Sequence, residues 1–253
     1  MEGEILHGGV NRVVRTGTVV RRPTGPWTPA VHALLRHLES AGFTGAPRVH
    51  GVDDRGREVL DFVPGTVADY PVPAYVRSDA ALVAAGRLLR RYHDATAGFV
   101  PPPGAVWQLP PREPREVVCH GDAAAYNTVF RDGLPVALID FDTAHPGPRV
   151  WDLAYAAYRF VPLGAPGSNG EHVPPAEQAR RLALLVDAYG LAEADRAVLV
   201  ETAWERLEAL VDFMTARAAA GDAAFARHLA EGHDVVYRND IAYLRAHSEL
   251  LRG

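Results

Sequence analysis

The stretch Val118-Cys119-His120-Gly121-Asp122-Ala123-Ala124-Ala125-Tyr126-Asn127 brings together side chains that can do phosphate chemistry. An apolar run enters it, and a β-type run, Thr128-Val129-Phe130, leaves it. Asp132-Gly133 reads as a tight hairpin turn, and the return strand from Pro135 to Ile139 delivers Asp140-Phe141-Asp142. One hairpin therefore carries a His-Gly-Asp turn, an asparagine five residues after its aspartate, and a second aspartate thirteen residues after that asparagine. Phosphoryl transfer needs such a set: a carboxylate to face the attacking hydroxyl, and an amide oxygen and a further carboxylate to hold Mg²⁺ against nucleotide phosphates. Mg²⁺ favours hard oxygen ligands and takes only a few of them from protein.

With Asp152-Leu153-Ala154 following, this pattern resembles the aminoglycoside phosphotransferase and choline-kinase-like family. The fold of that family is related to protein kinases, whose catalytic loop has the same Asp-to-Asn spacing. The resemblance extends over nearly the whole chain and is motif-grade from Val118 to Ala154. It implies an α+β, two-lobed protein-kinase-like fold, with a small N-terminal antiparallel-sheet lobe and a larger, mainly helical C-terminal lobe. The first lobe, residues 1–63, would bind nucleotide; residues 64–253 would carry the catalytic and acceptor-binding groups. The implied cofactor is Mg²⁺, the donor ATP or GTP, and the partner a small-molecule hydroxyl acceptor.

On that resemblance Asp122 is the catalytic base, orienting the acceptor hydroxyl and accepting its proton late. Positioning counts for more than base strength in a loose transition state. Asn127 and Asp140 are the Mg²⁺ ligands. His120 braces the loop, Asp152 accepts backbone N–H bonds from it, and Asp142 is either a second-metal or a supporting carboxylate. Leu6-His7-Gly8-Gly9-Val10-Asn11 looks like the nucleotide-covering loop, with Gly8 and Gly9 letting backbone N–H groups approach phosphate. The hinge falls at Asp61 to Thr66, where backbone groups near Phe62 and Val63 would meet the nucleobase edge.

The chain departs from the kinase pattern in one respect. It contains no lysine, its 26 basic residues all being arginine. Thr18-Val19-Val20-Arg21 matches the strand that usually carries the phosphate-binding lysine, so Arg21 is the candidate and Arg22 points to the opposite, solvated face. Arginine is longer and planar, so its geometry on phosphate must differ. The helix glutamate that usually holds the lysine is also missing.

The elements needed to position these groups are legible. Residues 4 to 22 read as three short strands. Thr28 caps a helix from Pro29 to about Ser40, with Val31, Leu34, Leu35 and Leu38 on its buried face. Strands follow at 47–52 and 58–63. Ser78-Asp79 caps the next helix, which buries Leu82, Ala85, Leu89 and Tyr92. Residues 99–115 and 161–175 read as loops, and another helix begins near Val150. Three further helices are expected at 176–189, 192–218 and 235–251. The second buries Val200, Trp204, Leu207, Val211 and Met214; the third buries Tyr237, Ile241, Leu244 and Leu251.

Composition excludes several classes. The net charge is −5, and no basic surface argues for nucleic acid. No apolar run suggests a membrane span, the N-terminus does not read as a signal peptide, and a single cysteine precludes an internal disulfide. The expected location is cytoplasmic. Residues 171–253 hold 14 acids against 9 arginines, which fits a cationic acceptor. The acceptor is expected against the later helices and the 161–175 loop. Two other readings compete. One is a kinase-like protein that binds ligand or nucleotide without turnover, favoured by the lost lysine–glutamate pair. The other, a metal hydrolase on His120, Asp122 and Asp140, would need a histidine-rich cluster that the spacings do not offer. A Cys119–His120 nucleophilic pair fails because strand neighbours point to opposite faces.

Overall fold

The computed structural model describes residues 4–6, 13–168 and 172–252. Five strands and one helix form the N-terminal part: β1 (Glu4–Leu6), β2 (Val13–Thr16), β3 (Val19–Pro23), α1 (Thr28–Ser40), β4 (Val49–Val52) and β5 (Arg57–Asp61). They make one antiparallel sheet in the order β1-β2-β3-β5-β4. Helix α1 lies beside it, and the expected apolar stripe is buried, from Val31 to Leu38. Its start differs from expectation. Thr28 is the first helical residue, and its hydroxyl accepts the Gly25 N–H at 2.9 Å, outside the helix, so Trp27 holds the cap position without a side-chain bond.

Next come β6 (Thr66–Val67), α2 (Asp79–Thr96), β7 (Val117–Cys119), β8 (Thr128–Arg131), β9 (Leu134–Leu138) and β10 (His145–Gly147). Ser78 caps α2 by accepting the Ala81 N–H at 3.1 Å. The turn joining β8 to β9 has Asp132 and Gly133 both at positive φ, the conformation a two-residue hairpin requires. Strand β6 joins this hairpin to make a three-stranded sheet, and β7 pairs with β10.

The remaining chain is helical: α3 (Arg149–Phe160), α4 (Pro175–Tyr189), α5 (Glu193–Ala219), α6 (Ala223–Ala230), α7 (His233–Ala246) and α8 (Ser248–Arg252). Helix α6 was not expected. It buries no residue fully, its face of Ala224, Phe225 and Leu229 being only half-buried; Asp222 starts it by accepting the Ala224 and Phe225 N–H groups at 3.1 and 3.4 Å. Helices α2 and α4 pack together, as do α3 and α5, and α5 and α7. A single hydrophobic cluster runs from Leu34 and Leu60 of the N-terminal part through Leu82, Phe141 and Tyr158 to Leu244. The architecture is therefore the expected one, an antiparallel-sheet lobe set against a mainly helical lobe. No described helix is long and apolar enough to cross a membrane.

Candidate active site

The His-Gly-Asp turn follows β7 and is fastened from beneath. Gly121 has φ +82°, and a Cβ there would lie 2.4 Å from the Thr143 carbonyl oxygen, so the turn admits only glycine. Asp152, in the first turn of α3 and fully buried, accepts the N–H groups of His120 at 2.7 Å and Gly121 at 2.9 Å. His93 Nε2 lies 2.9 Å from the same carboxylate, and its Nδ1 is 2.6 Å from the Tyr189 hydroxyl. Burial pushes the Asp152 pKa up, but the His93 hydrogen bond, the neighbouring histidines and the Gly121 N–H outweigh it and hold the group well below the usual carboxylate range. His120 bridges outward: its Nε2 lies 3.0 Å from the Ile139 carbonyl oxygen, its Nδ1 accepts the Asp122 N–H at 3.3 Å, and its ring packs on Phe141. That is a bracing geometry, with no histidine nitrogen left to react.

Asp122 is held at both oxygens. Oδ1 accepts the Tyr126 hydroxyl at 2.6 Å, and Oδ2 accepts Asn127 Nδ2 at 2.9 Å. Burial raises its pKa, and the Tyr126 hydrogen bond opposes that rise. The Asn127 amide nitrogen also donates to the Asp122 carbonyl at 3.1 Å, which leaves the amide oxygen as its group for a cation. The Ile139 N–H donates to the Asn127 carbonyl at 2.9 Å, so the hairpin seats Asp140 next to Asn127. Asp140 has φ +62° and ψ +70°. This left-handed conformation costs a non-glycine residue roughly 1–3 kcal/mol and is typical of functional sites. Its carboxylate is 44% exposed. An amide oxygen and an open carboxylate side by side fit the hard-ligand demand of Mg²⁺. Among the described residues, no group of three or more histidine, cysteine, aspartate or glutamate side chains is placed to hold a metal ion. Cys119 is fully buried, and burial pushes its thiol pKa well up, the state of an inert packing residue.

The arginine expectation is corrected. Arg21 faces away from this site and pairs with Asp53 at 3.6 Å. Arg22, expected to be solvated, is 6% exposed and sits at the centre of the acidic groups. Its Nε donates to Glu58 at 2.5 Å, Nη1 to Asp140 at 2.6 Å and Nη2 to Asp142 at 2.6 Å. The physical reason is register. On β3 and β5, Arg22 lies directly opposite Glu58, and both point inward with Val20 and Leu60. Glu58 thus supplies from a strand the carboxylate missing from the helix, and His32 of α1 braces it, Nε2 to Oε2, at 2.8 Å. Burial would lower the Arg22 pKa, but the charges of Asp140, Asp142 and Glu58 raise it. Burial pushes the Asp142 carboxyl up to about 6, against the pull of Arg22.

Two cavities meet at these residues. The first, about 740 Å³, is lined by Val20, Arg22, Leu60, Phe62, Val63, Asn127 and Asp140, among others. Phe62 donates its N–H to the Thr18 carbonyl at 2.8 Å, and its ring lies under the Arg15 guanidinium at 3.7 Å. Among the described residues, no backbone group accepts the Val63 N–H. Gly8 and Gly9 lie outside the described residues. The second cavity, about 810 Å³, holds Asp122, Trp151, Arg206, residues of α5 and α6, and Gln108 to Arg112 of the proline-rich loop. The described residues of the 161–175 loop do not line it, contrary to expectation; the Ala165 N–H and Ser168 hydroxyl instead donate to buried Asp240 at 2.8 and 2.6 Å. Tyr126, Asp140, Arg159, His233 and Tyr237 line both cavities.

Sequence reasoning missed Glu58, His32, Arg159 and the tyrosines at this junction. Arg159 is 8% exposed; it donates to the hydroxyls of Tyr155 at 2.9 Å and Tyr237 at 2.9 Å, and its guanidinium lies 5.6 Å from the Tyr126 ring. The available signal was Tyr155, Tyr158 and Arg159 at helical spacing after Asp152.

An antiparallel sheet over a helical lobe, with Asp122, Asn127 and Asp140 at the seam, defines a protein-kinase-like fold. Solved structures share it. A choline/ethanolamine kinase family protein from Mesorhizobium loti aligns with TM-score 0.59 at 18% identity, covering 96% of this chain and 92% of that one. Amicoumacin kinase hAmiN, solved in complex with AMP-PNP, Ca²⁺ and Ami, aligns with TM-score 0.65 at 14% identity, covering 90% of this chain and 87% of that one. Residues 104–210, which include Asp122, Asn127, Asp140 and Asp152, match the model of the phosphotransferase enzyme family, APH. The trifolitoxin immunity protein of Rhizobium leguminosarum bv. trifolii is 39% identical over 203 residues, 77% of this chain and 76% of that protein. The chain belongs to the aminoglycoside-phosphotransferase-like phosphotransferase enzyme family.

Proposed function

We propose that the chain is a nucleotide-dependent small-molecule O-phosphotransferase. The observation that carries the reading is that Asp122 opens into one cavity, Asn127 into the other, and Asp140 into both. The first cavity would take ATP or GTP, with the nucleobase edge on the Val63 N–H and the hinge backbone. Arg22, and not Arg21, would face the phosphates. The end of the five-stranded sheet at Asp61 supports a nucleotide lobe at 1–63 and a catalytic lobe at 64–253. Asn127 and Asp140 would hold Mg²⁺, which when bound neutralises phosphate charge.

Asp122 does the rest. Fixed at both oxygens, it accepts the proton of the acceptor hydroxyl as that oxygen bonds to the γ-phosphorus and the bond to the β-phosphate oxygen breaks. The nucleoside diphosphate leaves with that oxygen. The raised pKa of Asp122 suits a proton taken late. Calorimetry of Mg²⁺-dependent nucleotide binding tests the site: wild type should bind and Asp140→Ala should bind much more weakly. An acceptor screen with Asp122→Asn as the inactive control tests the chemistry. Absence of Mg²⁺-dependent binding by folded wild type would refute the proposal.

The immunity-named relative favours a second reading, protection against a toxic molecule by binding without turnover. Protection of cells that survives Asp122→Asn would support it; protection lost with Asp122 would support phosphorylation.

A further inference from the structure

The wall of the second cavity carries a charge pattern that its proposed role as acceptor site does not explain. Trp151 of α3 lies between two arginines. The Arg112 guanidinium sits 3.5 Å from the ring centroid, and that of Arg206 sits 5.6 Å from the same ring and 4.6 Å from the Tyr155 ring. Arg206 is 4% exposed, yet its one hydrogen bond among the described residues is from Nη2 to the Gly121 carbonyl, at 2.6 Å. Its Nε is buried with no partner. Among the described residues, no carboxylate forms an ion pair with Arg112 or Arg206. The two like charges also disfavour each other: burial lowers the Arg112 pKa first and Arg206 lowers it further, while Glu205, beyond ion-pair distance, opposes that fall.

The carboxylates on the same wall are committed elsewhere. Arg22 pairs with Asp140 and Asp142, and Arg217 with Asp222 at 2.7 Å, while Asp122 is fixed by the neutral Tyr126 and Asn127 and keeps its charge for the acceptor hydroxyl. Asp212, exposed on α5, is the exception. The acidic surplus of the C-terminal helices is likewise spent in part on their own arginines, as in Glu177–Arg180, Asp187–Arg196 and Glu208–Arg245. A cationic acceptor finds Asp122 and Asp212 as the carboxylates of this wall with no arginine at ion-pair distance among the described residues. An anion finds two guanidinium groups with no carboxylate at that distance, Glu205 acting on Arg112 from farther off. Guanidinium groups pair with carboxylates through charge-assisted bonds, and aromatic faces around them supply apolar contact.

We propose that the acceptor bears a carboxylate, clasped by Arg112 and Arg206 against Trp151, so that its hydroxyl reaches Asp122. The proposal rests on the reading of this cavity as the acceptor site. Arg206 is tied to Gly121, the residue before the base, so the anion clasp and the catalytic turn are placed by one side chain. The carboxylate sets the reach of the substrate, and the transfer step is unchanged.

The test uses the whole protein loaded with Mg²⁺ and a non-hydrolysable ATP analogue. Its binding is measured first; failure at that stage would sink the phosphotransferase reading itself. The loaded protein is then titrated with N-benzoyl-L-serine, N-benzoyl-L-serinamide and L-phenylalaninol, which carry a hydroxyl with a carboxylate, a neutral amide and an ammonium group. One or two charge-assisted bonds should favour the carboxylate by about tenfold or more. Arg206→Gln should erase the preference. Arg112→Gln, an exposed position with no side-chain hydrogen bond to lose, should reduce it without disturbing folding or nucleotide binding. With nucleotide bound normally, equal affinity for acid and amide, tightest binding of the ammonium probe, or no binding of any probe would overturn the proposal.

Discussion

Replacing Arg22 should be far more damaging than replacing Arg21, although the two are adjacent on one strand. Arg22→Met keeps most of the buried stem and removes the cation. Its side chain is 7% exposed, and its partners Glu58, Asp142 and Asp140 are 1%, 15% and 44% exposed. Asp140 is open enough for water to screen it, so the loss falls mainly on Glu58 and Asp142. Breaking a buried pair by removing one partner costs about 3–5 kcal/mol. Arg21→Met loses a single contact at 3.6 Å between groups 28% and 14% exposed, worth about 1 kcal/mol or less. The Arg22 deficit should also depend on pH. Without the cation, Asp142 loses the charge that lowers its pKa, and burial holds its folded-state value still farther above the unfolded one. The folded variant then binds more protons, and its stability falls as pH rises through that range. Urea unfolding of both variants and wild type at pH 7.5 and pH 5.0 measures this. The Arg22→Met deficit should be largest at pH 7.5 and shrink at pH 5.0, and only this variant should lose Mg²⁺-nucleotide binding. Equal costs for the two substitutions, or an Arg22→Met deficit independent of pH, would refute the reasoning.

Asp152→Ala strips acceptors from two buried N–H groups and from His93, at about 1–3 kcal/mol per orphaned donor; unfolding should show a loss of several kcal/mol, and exchange protection at His120 and Gly121 should fall. Asp122→Asn should lower kcat by about 100-fold or more with nucleotide affinity retained, as single-turnover assays and calorimetry can show. Because burial raises the Asp122 pKa, wild-type turnover should decline on acidification at a pH above the ordinary aspartate range. His145 is fully buried, and burial lowers its pKa from 6.5 to about 4. The unfolded chain then binds more protons than the folded one between those values, so stability present above pH 6.5 is lost as pH falls, by up to about 3 kcal/mol. His145→Gln should flatten that part of the stability–pH curve relative to wild type.

What the sequence determined was local. Asp122, Asn127 and Asp140 sit on one hairpin, and a hairpin with a two-residue turn at Asp132-Gly133 brings its ends together whatever surrounds it. The stripes Val31 to Leu38 and Leu82 to Tyr92 repeat at helical spacing, so their buried faces were legible too. Asp152 was readable because its motif follows the hairpin closely. Tertiary structure decided the rest. Which of Arg21 and Arg22 points inward depends on the phase of a five-residue strand, and that phase is set by pairing with β5, 36 residues from Arg22 to Glu58. A one-residue error in phase sends every side chain to the other face. Glu58 could replace the absent helix carboxylate only because that pairing places it opposite Arg22. The arginine pair around Trp151 is likewise drawn from a loop, α3 and α5, and Tyr237 reaches Arg159 from α7. Helix α6 is only eight residues long, too short for its half-buried face of Ala224, Phe225 and Leu229 to stand out as a helical period. Sequence spacing records neighbours along the chain, whereas the charge of a cavity is the sum of side chains that only packing brings to one wall.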